Sequence, residues 1–150
     1  QRIACWLNLS ETTFLLPSMN LRLRPTFLNL KPGTRIVANT FTIGDWKPDD
    51  TATIAPCERW CTAMLWIVPA RVGGTWQTPK GALTLTQRFQ FISGTLGNEP
   101  IDSGQLSGEE ISFTVGATTY RGRVDGYRMR LSATVDGKLV EWTARPAPRQ

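Results

Sequence analysis

The chain has 150 residues, enough for one domain with a buried core, and its 41% hydrophobic and 19% charged content excludes a disordered protein. The net charge of +5 comes from 17 Lys and Arg against 12 Asp and Glu, but the basic residues are scattered, which argues against a nucleic-acid partner. Histidine is absent, which excludes His-dependent catalytic triads and the usual zinc ligand.

Residues 12–46 have the pattern of an α/β unit. A short apolar run at Thr12–Pro17 precedes a segment whose apolar residues partly follow a helical period. Pro25 suits the first turn of a helix and not its interior, so the helix is predicted to begin at about Pro25. A Pro-Gly turn at Lys31–Thr34 then leads into a strand at Arg35–Phe41. Strand, helix, turn and strand in this order indicate a crossover unit.

Residues 51–145 are predicted to be rich in strands, because most segments alternate apolar with polar side chains. Turn signals separate them, and the two Asp-Gly pairs are strong hairpin signals. The predicted strands are Thr51–Ile54, Ala63–Val68, Ala82–Ile92, Glu110–Val115, Thr118–Val124, Tyr127–Ala133 and Leu139–Ala144. We therefore predict a mainly β fold, a curled antiparallel meander that forms a barrel or a sandwich, with a short N-terminal strand–helix–strand segment. The prediction is a single domain over residues 1–150.

A weak internal repeat places one aliphatic residue between two glycines. It occurs at Gly94–Gly97, Gly104–Gly108 and Gly122–Gly126. Strand glycines at this spacing mark either bends, as in a sheet that curls into a barrel, or ordinary hairpin turns.

Three cysteines are present, Cys5, Cys57 and Cys61. An odd number without a signal peptide favours a reducing, cytoplasmic location. The spacing of Cys57 and Cys61 leaves open a disulfide in an exported protein or part of a metal site. We expect no metal, since two thiolates without other soft ligands rarely suffice. No apolar run reaches the about 20 residues of a membrane helix, so no membrane partner is expected.

The stretch Phe41–Asp50 contains the most informative carboxylates. Asp49 and Asp50 follow Lys-Pro and are interpreted as part of a turn. Asp45 lies beside Trp46 at the end of a predicted strand, where burial would raise its pKa and suit a general acid or base. Arg22 and Arg24 are predicted to share one face of an extended segment, where they pair with Asp45 or hold an anionic ligand.

The second candidate carboxylate is Glu141, which precedes Trp142 within a predicted strand. If it points into a barrel opposite Arg123 or Arg128, it creates a polar ligand-binding lumen. The chain has six tryptophans. We expect them to fill the core; the alternative is a ligand cavity lined by tryptophan. The candidate catalytic residues are thus Asp45 and Glu141, and the candidate substrate-binding residues are Arg22, Trp46, Trp66, Trp76, Arg123 and Trp142.

Four segments resemble a bacterial protein family: Asn20–Pro25, Leu30–Val37, Phe41–Asp49 and Leu65–Ala70. They are similar to the C-terminal half of class I S-adenosylmethionine-dependent methyltransferases. The resemblance implies that the first segment follows the fourth strand of a doubly wound sheet and that the second enters the fifth strand. It also implies that Asp45 and Trp46 lie near the cofactor and substrate end of that sheet, and that a β-rich tail begins near Gly74.

Cofactor binding in that family depends on an N-terminal glycine-rich strand–turn–helix and on an acidic residue after the second strand. The sequence contains neither feature, because its glycines lie in strand turns. We therefore expect a chain that lacks the cofactor-binding half and takes no cofactor by itself, whereas S-adenosylmethionine serves the full-length family.

The leading hypothesis is a methyltransferase-derived, β-rich domain that binds a small molecule and is not a competent methyltransferase by itself. Exposed sheet edges would allow it to form a homo-oligomer. One alternative is a small β-barrel enzyme that uses carboxylates for hydrolysis or proton transfer. Another is a basic barrel that binds nucleic acid.

Overall fold

The computed structural model describes residues 11–13, 15–53 and 55–148. Strands contain 57% of the described residues and the helix contains 8%, so the prediction of a mainly β fold is confirmed. The chain divides into two compact units, Gln1–Val68 and Pro69–Gln150. The division therefore falls after Val68 and not near residue 51, where the β-rich part was expected to begin. A single domain over the whole chain stays a prediction.

The first unit contains a mixed four-stranded sheet and one helix. Its elements are β1 (Glu11–Thr13), α1 (Pro17–Phe27), β2 (Arg35–Asn39), β3 (Asp50–Thr53) and β4 (Thr62–Ile67). The strand order is β1-β2-β4-β3, with β1 parallel to β2 and with β4 antiparallel to both of its neighbours. Because α1 connects two adjacent parallel strands, the predicted crossover unit is confirmed. Strands β3 and β4 belong to this sheet and not to the meander.

The helix begins at Pro17 and not at about Pro25, so the predicted start is wrong. Pro17 occupies the first turn, where its missing N–H would have no partner in any case. Pro25 lies inside the helix but close to its end at Phe27, so its ring removes only the bond to the carbonyl of Leu21. Arg22 and Arg24 therefore lie on a helix and not on an extended segment.

Strands β2 and β4 form the buried centre of the first sheet. Ile36, Val37 and Ala38 are buried in succession in β2, as are Met64, Leu65 and Trp66 in the register-matched part of β4. Three buried residues in a row are typical of a strand that is covered on both faces.

The second unit is a closed antiparallel barrel of eight strands, so the predicted curled meander is a barrel and not a sandwich. The strands are β5 (Gly74–Thr78), β6 (Gly81–Arg88), β7 (Phe91–Leu96), β8 (Glu99–Ser107), β9 (Glu110–Val115), β10 (Thr118–Asp125), β11 (Arg128–Val135) and β12 (Lys138–Pro146). Each strand pairs with the next one along the chain. Closure comes from β12 and β5, where Arg145 is opposite Gln77 and Pro146 is opposite Trp76.

Two predictions about these strands are wrong. Ala82–Ile92 is not one strand, because the chain turns at Phe89 and Gln90 between β6 and β7. That turn contains neither glycine nor proline; Phe89 itself takes a positive φ of 55°. Neither β5 nor β8 is among the predicted strands, and in β8 glycine, proline and aspartate weaken the pattern. Strand β8 also contains a register irregularity between Asp102 and Gln105.

The glycine repeat turns out to combine both of its proposed roles. The first glycine of each pair, Gly94, Gly104 or Gly122, lies where the neighbouring strand passes so close that a Cβ atom would lie within 3.0 Å of its backbone. The second glycine lies in or beside a hairpin turn, with a positive φ at Gly97, Gly108 and Gly126. Each pair thus supplies one close approach between strands and one turn, and at Gly94 and Gly104 the close approach coincides with a register irregularity.

The barrel interior is filled by side chains. Its core consists of aliphatic residues from β6 to β12 together with Phe113, Tyr120, Trp142 and, from β5, Trp76. Tyr120 stacks on Phe113 with ring centroids 5.3 Å apart and meets Trp142 edge to face at 5.7 Å. Glu141, by contrast, is exposed. The predicted polar lumen, with Glu141 inside it, is therefore wrong.

Candidate functional site

Asp45 lies in the loop that follows β2, at the carboxyl end of that strand. The helix α1 packs closely against this loop, because a Cβ on Gly44 would lie within 3.0 Å of side-chain atoms of Leu21 and Arg24. The buried Asn20 donates its amide to the carbonyls of Phe41 and Thr42, both at 3.4 Å. The helix and the loop are thus held together by contacts at Phe41, Thr42 and Gly44.

The predicted ion pair of Asp45 is present in this loop. The Asp45 carboxylate accepts a hydrogen bond from Nη1 of Arg24, as one of the two proposed arrangements required. The Asp45 side chain is 55% exposed, whereas the neighbouring Trp46 is buried. Asp45 is therefore not the buried carboxylate that was expected beside an aromatic face. Arg22 is exposed on α1.

The half-buried carboxylate of this region is Asp49, which was interpreted as a turn residue. Its Oδ2 accepts a hydrogen bond of 2.7 Å from the backbone N–H of Ile67, and its own N–H donates to the carbonyl of Leu65 at 2.7 Å. Burial raises the pKa of Asp49 above its ordinary value of 3.8, and the hydrogen bond from Ile67 opposes that rise. Asp49 thus attaches the loop to β4. The position of Asp49 in the sequence, ten residues after β2, did not indicate this contact.

The four candidate tryptophans are buried, as expected of residues that fill a core. Trp46 and Trp66 belong to the first unit, where their ring centroids are 6.4 Å apart and Trp66 donates its Nε1–H to the Trp46 carbonyl at 2.8 Å. Trp76 and Trp142 belong to the barrel, and Trp76 donates to the carbonyl of Val72 at 2.8 Å. Their predicted contact with a ligand stays a prediction.

Arg123 and Glu141 lie on the outer face of the barrel. Nε and Nη2 of Arg123 donate to the same carboxylate oxygen of Glu109, at 3.0 and 2.6 Å. This hydrogen bond and the charge of Glu109 raise the pKa of Arg123 above its ordinary value. Glu141 is opposite Ser132 in the register of β11 and β12. Asp45 and Glu141 belong to different units, so each has to be considered as a candidate by itself.

A groove lined by both polar and apolar groups lies along the outer face of β8 to β11. Its volume is about 730 Å³, and its polar lining includes Gln105, Ser112, Thr114, Thr119, Arg121 and Ser132, together with the charged residues Glu110 and Arg123. A smaller cavity of about 340 Å³ lies beside it and is lined by Arg130, Glu141 and Thr143. Ser132 lines both. Hydroxyl, amide and charged groups therefore face the same part of the surface, and this arrangement suits a hydrophilic ligand.

Sequence reasoning missed most of this groove. Its hydroxyl residues occupy the polar positions of the alternating strands, which were used only to predict strands. The sequence signal that points to them is the outward phase of β9 and β10, where Ser112, Thr114, Thr119 and Arg121 alternate with buried residues. Strand phase became informative only once the apolar face was known to fill the interior.

Cys57 and Cys61 form a disulfide, which is the first of the two roles that their spacing left open. The loop that it closes carries Trp60, which is 51% exposed and lies 5.5 Å from Phe41 between ring centroids. In the described ranges 11–13, 15–53 and 55–148, no three Cys, Asp or Glu residues come together as a metal-binding group. A disulfide is uncommon in a reducing cytoplasm, so the cytoplasmic location stays a prediction.

Comparisons with known proteins found no match for this chain: no family model, no curated protein and no solved structure matches it. Within the described residues, α1 is too short and too polar to cross a membrane.

Proposed function

We propose that this is a methyltransferase-derived chain whose barrel binds a small, hydrophilic molecule in the groove over β8 to β11. The first half of the proposal is supported by β1, α1 and β2, which form two adjacent parallel strands with a crossover helix. The resemblance to class I methyltransferases implies this arrangement for the fourth and fifth strands. Asp45 and Trp46 follow the carboxyl end of β2, the end at which open α/β sheets bind ligands.

The described residues do not fit S-adenosylmethionine. In open α/β folds, a glycine-rich turn between a strand and the next helix lets backbone N–H groups approach the cofactor. The resemblance places that turn in the N-terminal half of the family's fold, whereas it places β1 to β2 at the fourth and fifth strands. The connection from β1 to α1 reads Phe-Leu-Leu and supplies no such turn either. The glycines of the first unit, Gly33 and Gly44, lie at other connections. No step of a methyl transfer is therefore assigned to these residues.

The observation that carries the binding proposal is the concentration of hydrogen-bonding groups in the groove. Ser112, Thr114, Thr119 and Ser132 place hydroxyl groups along neighbouring strands, and Gln105 adds an amide. Because side chains fill the interior of the barrel, a ligand can bind only on its outer surface. The groove is a concave part of that surface, and these groups line it. Hydroxyl-rich ligands are bound by groups of this kind, which donate and accept together.

The test is a titration of the chain with ribose, followed by two-dimensional amide NMR. We expect shifts confined to the amides of β8 to β11, and we expect Ser132→Phe to abolish them because the ring fills the groove. Thr86→Phe, on the exposed face of β6, is the matched control and should leave the shifts unchanged. Shifts spread evenly over the barrel, or equal loss in both variants, would contradict the proposal.

Calorimetry with S-adenosylmethionine tests the expectation that these residues do not hold the cofactor. No binding heat is expected, because the first unit offers no glycine-rich turn for the cofactor. Micromolar binding would overturn the argument from the connection between β1 and α1.

A further inference from the structure

Three arginines lie side by side on the outer face of β10 and β11. Arg123 is directly opposite Arg130, and Arg121 is opposite Ser132, so Arg121 is a diagonal neighbour of Arg130. Like charges directly opposite on adjacent strands destabilise a sheet, and long side chains also reach their diagonal neighbours. Three positive charges therefore lie close together on this face of the barrel.

One of these three guanidinium groups is neutralised within the barrel. Arg123 binds Glu109 through two hydrogen bonds. In the part of the chain that the structure describes, the guanidinium groups of Arg121 and Arg130 make no hydrogen bond or ion pair, and both side chains are exposed. They are available to an anion from solution. Guanidinium groups bind phosphate and carboxylate through paired, charge-assisted hydrogen bonds.

Two carboxylates limit what that anion can be. Glu110 is opposite Arg123 on β9, and Glu141 on β12 is opposite Ser132. Negative charge on both sides of the arginines repels a long polyanion such as a nucleic-acid strand, which needs an uninterrupted basic surface. A carboxylate nevertheless accepts hydrogen bonds from the hydroxyl groups of a small ligand.

The two cavities meet between these groups. Ser132 lines both, with Arg121 in the larger cavity and Arg130 and Glu141 in the smaller one. A ligand whose charged group lies between Arg121 and Arg130 can therefore place its remaining atoms along the hydroxyl groups of the larger cavity or against Glu141. Both directions offer acceptors and donors for hydroxyl groups.

We infer that the ligand of the groove is a small polyhydroxylated anion. Its phosphate or carboxylate group binds Arg121 and Arg130, and its hydroxyl groups bind Ser132, Glu141 and the hydroxyl side chains of the groove. This inference rests on the proposed function, because it names the class of molecule that the same groove takes.

The experiment compares three probes of similar size: ribose, ribose 5-phosphate and gluconate, each titrated into the full chain at low salt and followed by amide NMR. At least one of the two anions should bind about tenfold more tightly than ribose, which corresponds to one additional charge-assisted contact. Tighter binding of ribose 5-phosphate assigns the arginines to a phosphate, and tighter binding of gluconate assigns them to a carboxylate. Added salt should weaken either anion because the site is exposed.

Arg130→Gln should weaken the better anion about tenfold and leave ribose unchanged, since the variant removes one charged contact. Lys138→Gln, which removes the same charge from an exposed position at the start of β12, is the matched control and should change neither. Equal losses in the two variants would overturn the inference.

The remaining outcomes separate the two proposals. Ribose binding as tightly as both anions overturns the anionic class and leaves the hydrophilic groove in place. Failure of all three probes to shift any amide of β8 to β11 overturns both. An oligonucleotide that binds more tightly than ribose 5-phosphate overturns the small ligand in favour of nucleic acid.

Discussion

In the first unit, β1 and β3 each pair with one described strand, whereas every strand of the barrel pairs on both sides. A sheet edge presents unpaired N–H and C=O groups that other strands can bind. Closure removes such edges from the barrel altogether. The homo-oligomer stays a prediction. If it forms through sheet edges, these have to be edges of the first unit.

The two units also differ in which residues of their strands are buried. β2 buries three residues in succession, whereas β6 and β12 bury alternate residues and expose those between them. The first pattern belongs to a strand covered on both faces, and the second to a strand with one face in solvent. Strands of the barrel therefore present alternate side chains on the outer face, while the central strand of the first unit presents only its ends and the loops that follow them.

Gly122→Ala should have the largest effect and should affect the barrel only. Its Cβ would lie within 3.0 Å of the backbone of Arg130 and Leu131, so β10 and β11 must move apart. We expect a loss of about 3 kcal/mol in the free energy of unfolding, at the upper end of what overpacking costs. Urea denaturation measures the loss, and hydrogen exchange shows whether it is confined to β5–β12.

Gly137→Ala is the matched control for that substitution. Gly137 lies in the turn between β11 and β12 with a φ of 75°, and a Cβ there would meet nothing within 4 Å. Only the left-handed backbone is strained, which costs about 1 kcal/mol. If Gly137→Ala destabilised the barrel as much as Gly122→Ala, close strand approach would not be what requires glycine at position 122.

The fold could be predicted further than the site, and the reason is physical. Alternation and turn residues are local signals, so Glu110–Val115 was predicted to the residue and both Asp-Gly hairpins were found. Local signals failed where the backbone adopts an unusual conformation without glycine or proline, as at Phe89, and where one proline near a helix end costs little, as at Pro25. The side on which Glu141 lies depends on closure of the whole sheet, which no short segment encodes.

The Cys57–Cys61 disulfide offers a smaller test, this time of the first unit alone. The bond closes a short loop between β3 and β4, and constraint of such a loop in the unfolded chain is worth about 2 kcal/mol. Reduction should therefore lower the protection of amides in β2–β4 from hydrogen exchange and leave β5–β12 unchanged. The double variant Cys57→Ser, Cys61→Ser is the control, since reductant should not affect it. A loss of protection in the barrel would show that the two units do not respond separately.

The smallest effect is expected at Asp49, where the first unit holds a half-buried carboxylate whose pKa is raised by burial. A carboxyl group with a raised pKa binds its proton more tightly in the folded chain than in the unfolded chain, where the pKa is near the ordinary 3.8. Its contribution to stability is therefore most favourable below 3.8, declines as the pH rises through the folded value, and stays low at neutral pH. Acidification from neutral pH should relieve this cost, in the opposite direction to carboxylates with depressed pKa values such as those in ion pairs.

Asp49→Asn separates the charge from the hydrogen bond. The amide oxygen of asparagine can still accept the N–H of Ile67, so the contact between loop and β4 is kept while the buried charge is removed. At pH 7 the variant should be as stable as the original chain or more stable, by up to about 1 kcal/mol. The advantage should shrink as the pH is lowered towards 3.8, and urea titrations at several pH values measure it. A variant that is less stable than the original chain at pH 7 would show that the negative charge itself stabilises the loop, by strengthening the hydrogen bond that Asp49 accepts from Ile67.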